Sequence, residues 1–167
     1  MSTKISRDIE NPNTVLRKEI HKDGFKEVKI TDIIQDMKNA GIGIGANYIF
    51  GLPMDTHQTM QETFDFAKDN LTDMVNFYCA MAYPGSPLYL TARKNGWTLP
   101  DTYVGYSQHP NENLTSAEIL RFRDKAWMDY HTSPAYLDLL ERKYGSAAKN
   151  NVVETSKIKL KRKLLGD

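Results

Sequence analysis

Two short segments rich in glycine and proline carry the residue types best suited to holding a ligand. Residues 50–53 read Phe-Gly-Leu-Pro and residues 83–87 read Tyr-Pro-Gly-Ser-Pro; we call them the first and second elbows. Gly51 lets a ligand approach the backbone, and the helix predicted after Pro53 would present free N–H groups. Two prolines around Gly85 leave few backbone donors and several carbonyls, which suits a flat, donor-bearing ring such as adenine. Purely structural turns use the same residue types equally well.

The stretches around the elbows predict how the chain positions them. An apolar run over residues 42–50 predicts a strand with both faces covered, and residues 74–81, rich in Val, Phe and Tyr, predict another strand. A helical pattern between them begins at Asp55, which we expect to cap the helix with Gln58 three residues on. Strand, helix and strand form a βαβ unit, whose parallel strands open their loops at one end of the sheet. We therefore expect both elbows to face one ligand.

Capping signals and apolar spacing predict four further elements along the chain. Helices are expected over residues 12–23 and 31–40, from the capping box at 115–118, and from Pro134 to the glycine stop at Gly145. Residues 97–114 have the composition of an ordered irregular loop. A run of lysine and arginine at 157–163 could bind phosphate or lipid headgroups, although such a run is more often a solvated terminus.

The composition narrows the class of protein and the compartment. Of the 167 residues, 22 are Lys or Arg and 21 are Asp or Glu, so the net charge gives no signal for nucleic acid. The longest apolar run is far below the ~20 residues of a membrane helix, so no membrane span is expected. The N-terminus lacks the apolar core of a secretory signal, and with the lone Cys79 this favours a cytoplasmic protein.

Three other features invite a chemical interpretation that their context does not favour. Gly41, Gly43 and Gly45 fit a dinucleotide fingerprint, but they follow a predicted helix and enter a strand, which is the reverse of what that motif requires. Cys79 lies within a predicted strand, where a free cysteine is usually a small buried apolar residue. The four histidines are far apart in sequence and have no partner at metal-ligand spacing.

The elbows and their flanks carry a resemblance to a known family. Residues 47–53 (Asn-Tyr-Ile-Phe-Gly-Leu-Pro) and 81–89 (Met-Ala-Tyr-Pro-Gly-Ser-Pro-Leu-Tyr) resemble the C-terminal half of radical S-adenosylmethionine (SAM) enzymes. The similarity is to the branch that usually carries an N-terminal cobalamin-binding domain. Residues 47–53 resemble the fifth-strand motif G-x-I-x-G-x-x-E, with Asn47 in place of its first glycine. Residues 81–89 are similar to the loop after the sixth strand.

The resemblance implies roles for particular residues. Ile49 would pack on the adenine of SAM, Gly51 would allow close approach, and the backbone from Tyr78 to Tyr83 would contact the adenine edge. Glu10 resembles the carboxylate that ends the fourth strand and holds the SAM ribose or amino group. The implied cofactor-binding residues are therefore Glu10, Asn47, Ile49, Gly51, Tyr78, Tyr83, Pro84 and Gly85. No catalytic residue and no metal ligand is implied.

The same resemblance implies a fold and a division of the chain. The fold is α/β: residues 1–96 form the C-terminal half of a partial (β/α)6 radical SAM barrel, and residues 97–167 form an irregular loop and a helical extension. Such a half barrel is expected to leave strand edges open, and open edges promote association.

The chain lacks the cluster-binding motif of complete radical SAM enzymes. The CxxxCxxC loop that ligates the 4Fe–4S cluster is absent, and one cysteine cannot replace it. A complete enzyme would use SAM and the cluster, and in this branch cobalamin; this chain alone would hold none of them and would be inactive. The expected partner is an N-terminal half with the cluster motif, on the same or a separate chain. The alternative is a non-enzymatic nucleotide-binding or partner-docking half domain.

Overall fold

The computed structural model describes the backbone of residues 4–10 and the whole of residues 29–99 and 111–166. Three strands form a parallel sheet in the order β1-β2-β3: β1 (Lys4–Glu10), β2 (Gly43–Phe50) and β3 (Met74–Cys79). The predicted strands over residues 42–50 and 74–81 are thus confirmed within one or two residues. The helix predicted over residues 12–23 lies outside the described residues.

Six α-helices and one short 3-10 helix lie within the described residues: α1 (Ile30–Asn39), α2 (His57–Asp69), α3 (Pro87–Lys94), α4 (Ser116–His131), α5 (Pro134–Tyr144), α6 (Ser146–Ser156) and the 3-10 helix Lys163–Leu165. The capping box that starts α4 is confirmed, because Thr115 and Glu118 bond each other's backbone N–H groups. The helix α6 was not predicted. It buries no side chain completely, so the sequence carries no apolar stripe to reveal it.

The two faces of the sheet differ in their exposure. Side chains alternate between the faces, and in β2 those of Ile44, Ala46, Tyr48 and Phe50 are buried, whereas those of Asn47 and Ile49 are only partly buried. The helices α1, α2, α4 and α5 all pack against this buried face in one apolar cluster. Among the described residues, one face of β2 is fully covered as expected, whereas Asn47 and Ile49 on the other face are only partly covered. We call the other side, which carries Asn47, Ile49, Met74, Asn76 and Tyr78, the open sheet face.

An aromatic cluster around Phe77 holds the helices to the buried face. The ring of Phe77 stacks on Phe50 and Tyr48 at centroid distances of 5.5 and 5.7 Å. Phe64 of α2 and Tyr130 of α4 approach it edge-on at 5.9 and 5.8 Å. Aromatic pairs in these geometries add to the free energy gained by burying their area. The described parts of residues 1–96 and 97–167 therefore share one core, because α2 and α4 meet on the same ring.

The outer edge of β3 is capped by side chains of α4. Arg123 Nε donates to the carbonyl oxygen of Phe77 at 2.9 Å, and His131 hydrogen-bonds the carbonyl of Val75. These carbonyls point away from β2, so an incoming strand would use them. Two carbonyls of this edge are therefore occupied within the protein. The expected association of the chain stays a prediction.

The side chain of His131 links the stability of this cap to pH. Burial lowers the pKa of the imidazole, and the carbonyls of Trp127 and Val75 offset only part of that effect. Because the folded-state pKa lies below the ordinary 6.5, the folded protein binds this proton less readily than the unfolded chain. The stabilisation is complete above the unfolded-state pKa and is lost as the pH falls through it towards the folded-state pKa.

We expect His131→Gln to weaken the acid sensitivity of the fold. Between about pH 7.5 and about pH 5.5, the free energy of unfolding of the original chain should fall more than that of His131→Gln. Urea unfolding followed by far-UV circular dichroism at both pH values measures the difference. Parallel pH profiles for the two chains would contradict the prediction.

Candidate functional site

The carboxyl ends of β2 and β3 bring the two elbows to one edge of the sheet. The strands are paired up to Phe50 and Cys79, and one further bond joins the Ala80 N–H to the Phe50 carbonyl at 2.7 Å. In this register Ile49 lies beside Tyr78 on the open sheet face. The structure therefore places the strand ends that lead into the two elbows side by side. That both elbows face one ligand stays a prediction.

A buried carboxylate shapes the first elbow. Asp55 has no exposed surface, and its Oδ2 accepts hydrogen bonds from the N–H groups of Gly51 and Leu52, both at 2.9 Å. Its Oδ1 accepts from the hydroxyl of Thr59 at 2.7 Å. Burial raises the pKa of Asp55, and these hydrogen bonds counter only part of the rise. The N–H groups of the elbow are thus already bonded within the protein.

The predicted cap of α2 is wrong by one residue. Thr56 is the N-cap, its hydroxyl accepts from the Thr59 N–H at 3.3 Å, and the Thr59 hydroxyl accepts from the Thr56 N–H at 2.9 Å. Asp55 cannot cap the helix because its carboxylate turns back to the elbow. Gln58 is exposed and donates instead to Glu62 at 3.0 Å.

The backbone of Gly51 is turned towards the helical side of the sheet. Its φ of +80° is a conformation that side-chain-bearing residues rarely adopt. A Cβ at this position would lie 2.7 Å from Cγ2 of Ile119 in α4. The expectation that glycine leaves room for a purine is therefore wrong for this side of the residue: the turn and the packing of α4 account for glycine here. A backbone role of Gly51 towards a cofactor stays a prediction.

Asn111 forms hydrogen bonds with the first elbow, which lies far from it in sequence. The sequence analysis did not predict this contact. Its amide nitrogen donates to the carbonyls of Leu52 and Asp55 at 2.8 and 3.0 Å, across 59 and 56 residues of sequence. Its amide oxygen accepts from the N–H groups of Asn113 and Leu114 at 2.9 and 2.7 Å. A single asparagine in a loop gives no sequence signal for such a contact.

The second elbow is a tight turn of type II character. Pro84 and Gly85 are its central residues, Gly85 has a φ of +86°, and the Ser86 N–H donates to the Tyr83 carbonyl at 3.0 Å. The Ser86 hydroxyl donates to the same carbonyl at 2.7 Å and also caps α3. This carbonyl is therefore already bonded within the turn. For the rest of the elbow, several exposed carbonyls stay a prediction. Tyr83, Pro84 and Gly85 are all exposed.

Asn47 and Asn76 form a hydrogen-bonded polar pair on the open sheet face. Asn76 Nδ2 donates to Asn47 Oδ1 at 2.9 Å across β2 and β3. Ile49 is the next residue of β2 on this face, and it packs with a small apolar group formed by Leu52, Ala80 and Leu88. Asn76 was not predicted, although its position two residues before Tyr78 places it on the same face of β3.

Glu10 is the last residue of β1, and the strand pairing carries it next to Tyr48 after a register shift. Its side chain lies outside the described residues, so its predicted role stays a prediction.

The residues present do not fit an iron–sulfur cluster. Cys79 is the one cysteine of the chain, it is partly buried, and burial raises the pKa of its thiol to about 12. A cluster binds thiolates, commonly four of them. Among residues 29–99 and 111–166, no three His, Cys, Asp or Glu side chains are grouped to hold a metal ion.

In the same residues, no helix has the length and apolar content to cross a membrane.

Comparison with known proteins identifies partial relatives. The chain is 34% identical over 79 residues to bacteriochlorophyllide d C-8(2)-methyltransferase of Chlorobaculum tepidum, a match that covers 47% of this chain and 18% of the relative. It is 26% identical over 118 residues to an uncharacterized methyltransferase of Pyrococcus horikoshii, covering 68% of this chain and 26% of that protein. The chain thus spans about a quarter or less of these relatives. No protein-family profile matches it.

A solved structure shares the fold. The Elp3 protein of Methanocaldococcus infernus, with residues 1–46 deleted, superposes with a TM-score of 0.53 at 16% sequence identity. The superposition covers 80% of this chain and 28% of that one. Taken together, the comparisons show an α/β fold shared with a solved structure and partial sequence similarity to two proteins named as methyltransferases.

Proposed function

We propose that this chain is the C-terminal part of a radical SAM enzyme, in which the open sheet face and the second elbow form the adenine side of the SAM site. One observation carries the proposal: helices cover one face of the parallel sheet, while the other face presents Ile49 and Tyr78 at the carboxyl ends of the strands. Ligands of parallel α/β proteins bind at these ends. An apolar side chain beside an exposed aromatic ring suits the flat surface of a purine.

In this proposal, this chain and an N-terminal half with the cluster motif would each supply part of the site. SAM and its cluster, when bound, would supply the one-electron chemistry, and cobalamin would add to it in the branch that the sequence resembles. The described residues of this chain bind and orient: Ile49 offers an apolar surface, and the Asn47–Asn76 pair offers hydrogen-bonding groups. In this proposal, residues 1–96 complete the (β/α)6 barrel with an N-terminal half, and residues 97–167 form the extension. The methyltransferase names of the partial relatives favour methyl transfer as the overall reaction.

The proposal predicts weak adenosine binding by the chain alone. Half of the pocket and the cluster are missing, so we expect a free energy of about −4 to −6 kcal/mol, or millimolar to high-micromolar affinity. In an NMR titration, backbone signals of Ile49, Tyr78 and Tyr83 should shift with added adenosine. Ile49→Lys should abolish the shifts because it places a charge against the purine face.

Met74→Lys provides the matched control. Met74 is on the same open face but at the opposite end of β3, paired with Gly45, and it is 52% exposed. It should leave the adenosine shifts intact. A folded sample without adenosine-dependent shifts, or equal losses in both variants, would contradict the proposed site.

Another candidate function is a docking half domain without catalysis. The exposure of Met74 and Tyr78 on the open face, at 52% and 48%, favours a surface that another polypeptide covers. This candidate predicts no adenosine shifts at any residue, together with association through the open face. The titration above therefore separates the two candidates.

A further inference from the structure

Asn76 lies in the middle of β3 on the open sheet face. Its side chain is exposed, and so are those of Met74 and Tyr78, two positions away on either side. Strand pairing places Asn76 directly across from Asn47. Residues two positions apart in a strand are about 7 Å from each other along one face. Asn76 is therefore one step from the row of Ile49 and Tyr78, against which the proposed function places a purine.

The amide of Asn76 is held in one orientation by Asn47. Asn76 Nδ2 donates to Asn47 Oδ1 at 2.9 Å, and Asn47 has a further interaction within the protein. A side-chain amide has two N–H donors and a carbonyl oxygen that accepts. Among residues 29–99 and 111–166, the second N–H and the carbonyl oxygen of Asn76 bond no other group. An oriented donor and an oriented acceptor thus remain for a ligand on the open sheet face.

This donor and acceptor match the edge of adenine. The amino group of adenine is a donor, the ring nitrogens beside it are acceptors, and asparagine can therefore bind adenine with two hydrogen bonds. Packing against Ile49 and Tyr78 alone would accept any purine, because every base has a flat π-face. An oriented amide beside that row would add a preference for the amino group.

We propose that Asn76 is a specificity-determining residue on the adenine side of the proposed SAM site. Its carbonyl oxygen accepts a hydrogen bond from the amino group of adenine, and its remaining N–H donates to an adjacent ring nitrogen. The inference rests on the proposed function, because it takes the purine to lie against Ile49 and Tyr78. Asn47 is a positioning residue, which orients the Asn76 amide before the ligand binds and so lowers the ordering cost of binding.

Purine riboside, used beside adenosine, is the probe that tests this inference. It has the same ring system and ribose and lacks only the amino group. In NMR titrations of the chain, both nucleosides should shift the backbone signals of Ile49 and Tyr78. Adenosine should bind about three- to tenfold more tightly, the effect of one hydrogen bond. It should also shift the side-chain amide signals of Asn76.

Asn76→Leu and Met74→Leu are matched variants. Both place leucine at an exposed position on the same face of β3, two residues apart. Asn76→Leu keeps a side chain of similar size and removes the amide, so the affinities for adenosine and purine riboside should come within about twofold of each other. Met74→Leu should keep the preference of the original chain for adenosine. Far-UV circular dichroism checks that both variants are folded.

The outcomes separate this inference from the proposed site itself. Equal affinity for the two nucleosides, with shifts at Ile49 and Tyr78, would leave the site in place and overturn the role of Asn76. An undiminished preference for adenosine in Asn76→Leu, or an equal loss of preference in Met74→Leu, would also overturn that role. No shifts with either nucleoside in the folded chain would instead contradict the proposed site, and this inference would fall with it.

Discussion

Asp55→Ala should be among the most destabilising single substitutions in this chain. The change removes a buried carboxylate that accepts hydrogen bonds from Gly51, Leu52 and Thr59, and it leaves these donors without their partner. The expected loss is about 3–5 kcal/mol in the free energy of unfolding. That is a large part of the roughly 5–15 kcal/mol typical of a domain. Urea unfolding monitored by far-UV circular dichroism measures it.

Asp55→Asn is the matched control for this substitution. The amide has the same shape, its oxygen can accept from both elbow N–H groups, and its nitrogen can donate to the Thr59 hydroxyl. We expect a loss of about 1 kcal/mol or less, because a neutral group is also easier to bury. A loss below about 0.5 kcal/mol for Asp55→Ala would show that the carboxylate does not hold the elbow.

Gly51→Ala should be much more costly than Gly85→Ala. Both glycines have a positive φ, +80° and +86°, so both substitutions strain the backbone by roughly 1–2 kcal/mol. Only at Gly51 would the new Cβ meet another side chain, 2.7 Å from Cγ2 of Ile119; at Gly85 nothing lies within 4 Å. Overpacking should add about 1–3 kcal/mol at Gly51. Chemical unfolding of both variants under one set of conditions compares them.

A double-mutant cycle separates the contact from the backbone strain. In an Ile119→Ala background the clashing methyl group is gone, so adding Gly51→Ala should cost only about the strain seen at Gly85. The cost of Gly51→Ala should thus be smaller in that background by about 1 kcal/mol or more. An unchanged cost would mean that Ile119 does not set the requirement for glycine.

Local signals predicted the elements that position the site. The apolar run over residues 42–50 and the Val, Phe and Tyr residues of 74–81 predicted the two strands of the βαβ unit, and the capping box at Thr115 predicted the start of α4. The common edge of the two elbows follows from parallel strands alone. Each of these predictions depends on residues that are near neighbours in sequence.

The contacts that shape the first elbow could not be predicted in this way. Asn111 reaches Leu52 across 59 residues, and Ile119 fills the space beside Gly51 from a helix that starts far down the chain. Asp55 carries a helix-cap signal but turns to the preceding backbone, because two N–H groups of the elbow need an acceptor.

The difference in exposure between the two faces of β2 could not be predicted for another reason. Tyr48, Ile49 and Phe50 are all apolar or aromatic, so β2 shows no alternation in sequence even though its faces differ in exposure. Residues that bind an apolar ligand surface and residues that pack in a core are chemically alike. Only the positions of the helices distinguish the two faces.

Photolabelling with 8-azidoadenosine tests the proposed SAM site most directly. Light converts the azide on the purine to a species that attaches to whatever side chain it touches, and peptide mass spectrometry then locates the label. The proposal predicts labelling within residues 47–49 and 78–85, suppressed by excess unmodified adenosine and lost in Ile49→Lys. Competable labelling confined to α4, α5 and α6, on the other side of the sheet, would contradict the claim that the open sheet face forms the adenine side of the site.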